Sequence, residues 1–187
     1  MAIGELRIAG EQRRRLEGLV GKRAIALVAR VFRLTDMETM RAGTGDFWLC
    51  YVEPGPDPMR GRFFRFGGEL MSGEGFTDAP QFRFEEADSP VGVPVGLDNS
   101  LGFPRMLGDH SELSLHDEIQ RITIYEEAWD EEGLRVTRDC GIRLDFSAGR
   151  SLFILVDDSS GPTVTVAFTP RGIASLTRYL TVRTVVG

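Results

Sequence analysis

The chain has 187 residues, a formal net charge of −6, two histidines and two cysteines. Apolar residues make up 42% of it and charged residues 27%, which is typical of a folded domain and excludes wholesale disorder. Its longest apolar run, 24–29, is far shorter than the roughly 20 residues of a membrane helix, and no export signal is visible. We expect a soluble, cytoplasmic chain forming a single domain over residues 1–187. Two β-rich halves, 1–88 and 109–187, that share one core are the alternative organisation.

Hydrophobic periodicity predicts one helix and then strands in the first half of the chain. An apolar stripe of Leu16, Leu19 and Val20, with Gly21 at the usual stop position, predicts a helix over residues 11–20. The apolar segments that follow either alternate with polar residues or are apolar on both faces, as in half-buried and fully buried strands. The strands predicted in this way are 23–34, Phe47–Val52, 60–66 and 81–86.

Three segments between these strands have a weaker pattern. Residues 35–46 are polar and fit either a loop or a helical turn. Residues 66–76 contain four glycines, which predicts a mobile loop because glycine loses more entropy on ordering than other residues. Residues 88–108 are rich in proline and glycine yet too apolar for a free linker, which predicts a packed connection between the two halves.

The second half begins with a segment, 118–127, that fits a strand or a helix. Its β-branched run at 122–124 favours a strand. Leu115, Ile119 and Ile122 fall on one helical face, which keeps a helix open as the alternative.

The pattern after this segment predicts an antiparallel meander and then a helix. Thr169 and Pro170 have the residue types of an N-cap and a first helical position, and Thr181–Val186 favours a last strand. We therefore predict an α+β fold, mainly antiparallel β-sheet with two or three short helices. The meander strands, which alternate between apolar and polar residues and are joined by short turns, are 140–146, 152–156 and 163–168.

The chain carries no strong catalytic signature. It has no phosphate-binding loop, nucleophile elbow, H-E-x-x-H pair or C-x-x-C pair. His110 and His116 with Asp109 are the best metal-ligand candidates, but an extended chain would hold the two histidines roughly 20 Å apart. Cys50 and Cys140 fall in apolar strands and are predicted to be reduced, buried and inert. We predict no catalytic residue, no cofactor and no bound metal.

The charge is concentrated in one acidic segment that surrounds a tryptophan. Residues 109–132 carry a net charge of −8, whereas residues 1–41 carry +4 and residues 133–187 carry +3. One interpretation is a solvated hairpin loop whose tryptophan packs back against the sheet. The other is a recognition surface, an aromatic anchor among carboxylates that attracts a basic protein partner. The candidate partner-binding residues are Glu126, Glu127, Trp129, Asp130, Glu131 and Glu132.

Two patterns in the second half carry a resemblance. I-x-x-I-x-I-Y, formed by Ile119, Ile122, Ile124 and Tyr125, precedes C-G-I-x-L-x-F-x-x-G-R-S-L-x-I over residues 140–154. Over about the last 70 residues the chain resembles small bacterial α+β proteins of the immunity or uncharacterised type. The resemblance implies a cytoplasmic protein that binds and neutralises a cognate toxin, and it supplies no functional residues.

We therefore expect a non-enzymatic protein-binding module, of the toxin-neutralising immunity type, that acts through its acidic surface and binds neither nucleic acid nor membrane. One alternative is a small-molecule-binding or hydrolytic domain in which the glycine-rich 67–75 is a lid over Trp48, Phe63, Phe64 and Phe66. Those aromatic residues are otherwise simply core. A structural or assembly subunit that associates through unpaired strand edges is the other alternative.

Overall fold

The computed structural model describes residues 2–8, 10–29, 32–34, 38–42, 46–53, 61–73, 76–88, 95–98, 103–106, 111–131, 133–157 and 162–187. Two helices lie in this part of the chain, α1 (Gly10–Glu17) and α2 (Pro170–Thr177). The strands are β1 (Ala2–Leu6), β2 (Arg23–Ala29), β3 (Phe32–Leu34), β4 (Thr39–Ala42), β5 (Phe47–Val52), β6 (Gly61–Gly73), β7 (Phe76–Ala87), β8 (Val95–Asp98), β9 (Phe103–Met106), β10 (Ser111–Glu131), β11 (Leu134–Phe146), β12 (Ser151–Asp157), β13 (Thr163–Ala167) and β14 (Thr181–Val186).

The main strands form one open, mostly antiparallel sheet in the order β3-β4-β13-β12-β11-β10-β2-β5-β6-β7. β14 lies against β10, β1 runs parallel to β11, and β8 and β9 form a hairpin of their own. The predicted mainly antiparallel α+β fold is confirmed, as is the meander, which is β11-β12-β13. Neither described helix is long or apolar enough to cross a membrane.

β10 joins the two parts of the sheet because it changes its partner along its length. Its first part pairs with β2 and its second part with β11. The ladder shifts between Ser114 and Asp117, where His116 has a φ of 51°. Asp117 holds this irregularity by accepting hydrogen bonds from the Ser147 hydroxyl and from the Ala148 backbone N–H at 3.1 Å. Because 118–127 lies within β10, the helical alternative for this segment is wrong.

The two parts of the sheet face each other across one hydrophobic core. Phe64, Phe66 and Phe84 from the β6-β7 hairpin belong to the same buried cluster as residues such as Ile154 and Val166 of the meander. A second cluster, including Trp48 and Phe63, lies on the outer face of β2, β5 and β6. This second cluster explains why β2 and β5 are apolar on both faces, as the sequence indicates.

The glycine-rich segment differs from its prediction. Instead of a mobile loop, β6 continues to Gly73 and pairs with β7, with Gly67 opposite Arg83 and Gly68 opposite Phe82. A Cβ on Gly68 would lie 2.9 Å from Val156 Cγ2, so the absence of a side chain lets β6 approach the opposite part of the sheet closely. Gly75 lies outside the described residues.

Other boundaries are refined by the structure. The strand predicted at 23–34 is divided into β2 and β3, with 30–31 outside the described residues. The ambiguous 35–46 contains a strand, β4, and the predicted connection at 88–108 contains the β8-β9 hairpin. Both helices are confirmed, and at α2 the Thr169 hydroxyl accepts the Gly172 N–H at 3.0 Å.

Candidate functional site

The acidic residues around Trp129 lie on a paired strand. The expectation of a loop is wrong, because β10 continues to Glu131 with Trp129 opposite Val136 of β11. The turn of the hairpin contains Gly133, whose φ is 85°. Glu132 lies outside the described residues, so its place in the candidate surface stays a prediction.

The strand pleat divides the candidate residues between two faces. Glu127, Trp129 and Glu131 point to one face, together with Val136 and Arg138 of β11. Glu126 and Asp130 point to the other face. The sequence places all of these residues in one cluster, whereas the sheet makes two rows from them.

On the first face Trp129 is held from two sides. Its indole Nε1 donates a hydrogen bond to a Glu131 carboxylate oxygen at 3.1 Å, and the Arg138 guanidinium lies 5.8 Å from the ring centroid. Arg138 is itself fixed, because it pairs with Glu127 and donates to the Pro80 carbonyl of β7 at 2.7 Å. The side chain of Trp129 is thus partly exposed and restrained.

On the second face an ion-pair network ties the chain ends to β11. The Asp139 side chain is completely buried and forms an ion pair with Arg183 Nε at 2.6 Å. It also accepts hydrogen bonds from Arg183 Nη2 and from the Ile8 backbone N–H, both at 2.7 Å. Arg7 lies 3.4 Å from Asp139 and pairs with Glu126. Glu126 therefore belongs to a buried structural network.

Arginines offset most of the charge of the acidic segment. Asp130 also has a basic neighbour, Arg135, at 3.6 Å. Three of the four described carboxylates of 126–131 thus pair with an arginine, so the surface is less acidic than the sequence indicates. Arg135 lies opposite Asp130 in the hairpin, and Arg138 lies opposite Glu127. A sequence prediction that placed the turn correctly would therefore have found both arginines. Nothing local reveals Arg7, which is 119 residues from its partner Glu126.

The outer edge of β10 near Trp129 lies beyond the pairing of β2 and β14 in the described part of the chain. β2 and β14 pair with earlier parts of that edge, and the pairing of β14 ends at Glu126. Among the described residues, no strand pairs with this edge over residues 127–131. The backbone of 127–131 on that side of β10 thus forms no ladder with a described strand.

The metal and cysteine candidates have different outcomes. His116 is exposed on β10, whereas Asp109 and His110 lie outside the described residues, so the metal hypothesis stays untested. No group of three or more histidine, cysteine or acidic residues within the described ranges is arranged to hold a metal ion.

Both cysteines are buried, as predicted, and burial raises the pKa of the Cys140 thiol to about 12. That thiol is therefore not an activated nucleophile at neutral pH.

The aromatic residues of the alternative pocket are core. Phe64 and Phe66 are completely buried between the two parts of the sheet, whereas Trp48 and Phe63 belong to the cluster on the outer face. Because the four rings are divided between opposite faces of a sheet, they do not line one pocket. The proposed lid over these rings is also wrong, because Gly67 and Gly68 are strand residues of β6 and do not form a loop.

Comparison with protein-family models, with curated proteins and with solved structures finds no match for this chain. The structure defines a mainly antiparallel α+β protein with a restrained, partly exposed tryptophan on a stretch of β10 that pairs with β11 on one side and with no described strand on the other. We name that stretch, residues 127–131 of β10 with Arg138, the Trp129 edge.

Proposed function

We propose that this protein is a non-enzymatic binding module that recognises a protein partner through the Trp129 edge. The observation that carries the proposal is the fixed position of Trp129, between the Glu131 carboxylate and the Arg138 guanidinium. An aromatic side chain that is ordered before binding loses little conformational entropy when the partner arrives. Tryptophan and arginine are also the residues that most often dominate the energy of protein interfaces.

The outer edge of β10 beside Trp129, which pairs with no strand in the described ranges, supports a mode of binding. A partner segment that adds as a strand to residues 127–131 would form backbone hydrogen bonds with β10. Its side chains would then meet both faces of the sheet, with Trp129 on one and Asp130 on the other. This mode uses the two rows of candidate residues together, although they do not form one surface patch.

The residual charge supports a basic partner segment. Among the described carboxylates of the Trp129 edge, Asp130 is well exposed, with 65% of its side chain accessible. A lysine or arginine of the partner would meet it at the rim, where charge mainly accelerates association and selects among partners. The resemblance to immunity-type proteins adds a partner class, a toxin that the protein neutralises in the cytoplasm.

The test measures binding to the protein products of neighbouring genes. We expect one of them to bind the wild-type chain stoichiometrically in calorimetry. Trp129→Ala is expected to weaken this binding at least about thirtyfold, the loss typical of a hot-spot residue. Glu131→Arg should also weaken it, because the indole loses its hydrogen-bond acceptor and a basic partner is repelled.

Arg171→Ala is the control, since the side chain of Arg171 is 88% exposed and lies on α2, the helix that packs against Phe153 and Ala167. It should bind as the wild type does, and circular dichroism verifies that each variant is folded. Trp129→Ala with unchanged affinity would contradict the proposal, as would a set of neighbouring gene products that do not bind. For the toxin class, co-expression with the bound partner should restore growth, and Trp129→Ala should not.

A specific observation also favours the assembly alternative. β14 pairs on one side with β10, and its residues Val182 and Val185 are 50% and 52% exposed. No strand in the described ranges pairs with the other edge of β14, and an apolar strand with such an edge is suited to pairing with a second copy. Light scattering after size exclusion tests this, because a dimer that Val185→Lys converts to a monomer supports it and a wild-type monomer opposes it.

A further inference from the structure

The outer face of the meander carries a cleft away from the Trp129 edge. α2 covers part of this face by packing Ile173 against Phe153 and Ala167. Beyond the helix the face becomes polar, with Arg143 and Asp145 of β11 on it. The helix and the β11-β12 turn therefore enclose a space with an apolar wall and a charged wall.

The cleft has two adjoining lobes of about 470 Å³ and about 490 Å³. Both lobes are lined by Arg143, Gly149, Arg150 and Ser151, so they meet at these residues. The charged lobe continues to Arg121 and Asp145, and the apolar lobe continues to Phe168, Pro170, Ile173 and Ala174. Each volume lies within the range of small-molecule sites.

The side-chain charge of the charged lobe is positive. Arg121, Arg143 and Arg150 line this lobe together with one acidic side chain, Asp145, and the last residue of the chain, Gly187, also borders it. Arg150 pairs with Asp117 at 3.6 Å, so Arg121 and Arg143 are the arginines that contact Asp145. Asp145 accepts hydrogen bonds from Arg121 Nε at 2.9 Å and from Arg143 Nε at 2.7 Å. Ser151 also donates to it, at 2.6 Å. One carboxylate thus orients two guanidinium groups without neutralising them.

Arg121 keeps donors for a ligand. It uses Nε for Asp145, and its two terminal nitrogens donate to no other group in the described part of the chain. Its side chain is 54% exposed and that of Arg143 is 35% exposed, so both are accessible from the cleft. Planar guanidinium groups bind phosphate and carboxylate oxygens in a two-pronged geometry.

We propose that this cleft binds a small amphipathic organic anion. Its oxyanion head, a phosphate or a carboxylate, lies against Arg121 and Arg143. Its apolar body lies in the second lobe against Phe168 and Ile173. Because Asp145 holds the arginines in place beforehand, little ordering is required when the ligand binds.

Four probes separate the contributions of head and body in NMR titrations of the full chain. They are hexyl phosphate, hexanoate, inorganic phosphate and hexanol. We expect hexyl phosphate or hexanoate to shift amide resonances of both 147–151 and 168–174, and the tighter of the two identifies the head. Inorganic phosphate and hexanol should bind at least about tenfold more weakly, because each lacks one half of the ligand.

Variants test the assigned residues. Arg121→Gln removes a head contact, and Ala174→Asp places a negative charge on the exposed surface of the apolar lobe. Each is expected to weaken hexyl phosphate binding at least about tenfold. Arg83→Gln is the matched control, since Arg83 is similarly exposed, at 56%, but lies on β7 outside the cleft, and it should bind as the wild type does.

Three results would overturn the proposal. The first is that neither hexyl phosphate nor hexanoate binds the wild-type chain below about 10 mM. The second is unchanged binding by Arg121→Gln. The third is that hexanol or inorganic phosphate binds as tightly as hexyl phosphate. Equal affinity for hexanol would show that the oxyanion head contributes nothing to binding, and equal affinity for inorganic phosphate would show the same for the apolar body.

Discussion

Asp139 holds the ends of the chain together, and its removal offers a quantitative test of the buried network. Its carboxylate is completely buried against Arg183, Arg7 and the Ile8 N–H. Breaking a buried ion pair costs about 3–5 kcal/mol, and an unpaired backbone N–H costs about 1–3 kcal/mol more. Both arginines are about one-fifth exposed, so they can turn partly towards water after the change. We therefore expect Asp139→Ala to lower the free energy of unfolding by about 3 kcal/mol.

The assay is denaturant unfolding followed by circular dichroism, with thermal unfolding in parallel. A loss of about 3 kcal/mol in a chain of this size corresponds to a Tm lower by about 6–12 °C. Asp139→Asn keeps an acceptor for the Ile8 N–H and should cost less than Asp139→Ala. Asp130→Ala removes an exposed pair with Arg135 and should cost at most about 0.5 kcal/mol. A cost for Asp139→Ala that equals the cost for Asp130→Ala would refute the reasoning.

Three further predictions concern packing, thiol reactivity and acid stability. Gly68→Val should lower the free energy of unfolding by about 1–3 kcal/mol, because the Cβ of the new valine would crowd the Val156 side chain. An unchanged denaturant midpoint for this variant would contradict the prediction. Because burial raises the pKa of Cys140 to about 12, its thiol should react with a disulfide reagent at pH 8 only after unfolding; rapid labelling of the folded chain at Cys140 would be inconsistent with this. Burial opposes ionisation of Asp145, but its hydrogen bonds and neighbouring arginines outweigh that and hold its pKa below the ordinary 3.8. Its contribution to stability is therefore present above about pH 4 and is lost as the pH falls through the lower, folded pKa, so Asp145→Asn should flatten the acid limb of the stability curve.

The sequence predicts those elements whose signals are local. Phe47–Val52 and Thr181–Val186 are strands with the predicted bounds, and α2 begins at Pro170 after its Thr169 cap. Apolar patterning and capping chemistry act within a few residues, so no knowledge of distant partners is needed. The ambiguity of 118–127 comes from the register shift between Ile119 and Arg121, because it makes the buried positions 119 and 122 three residues apart, a spacing that also fits one face of a helix.

Long-range pairing explains what the sequence does not predict. The charge around Trp129 depends on Arg7, and the order of the glycine-rich segment depends on the close approach of β12 to Gly68. The cleft is a similar case, since Arg121, Arg143 and Ser151 come together only when β10, β11 and β12 pair in one register. The composition gives the number of such residues, but it does not show which of them lie opposite one another in the sheet.

The Trp129 edge and the anion cleft lie at opposite ends of one hairpin, which makes their independence testable. Arg121 and Trp129 are eight residues apart on β10, about 26 Å at the usual strand rise, and no residue lines both sites. Changes at sites so far apart are normally additive, because they share no contact. Arg121→Gln should therefore leave partner affinity unchanged, and Trp129→Ala should leave hexyl phosphate affinity unchanged. Calorimetry on both single variants and on the double variant measures this, and a coupling greater than about threefold would show that the ladder between β10 and β11 transmits a change from one end to the other.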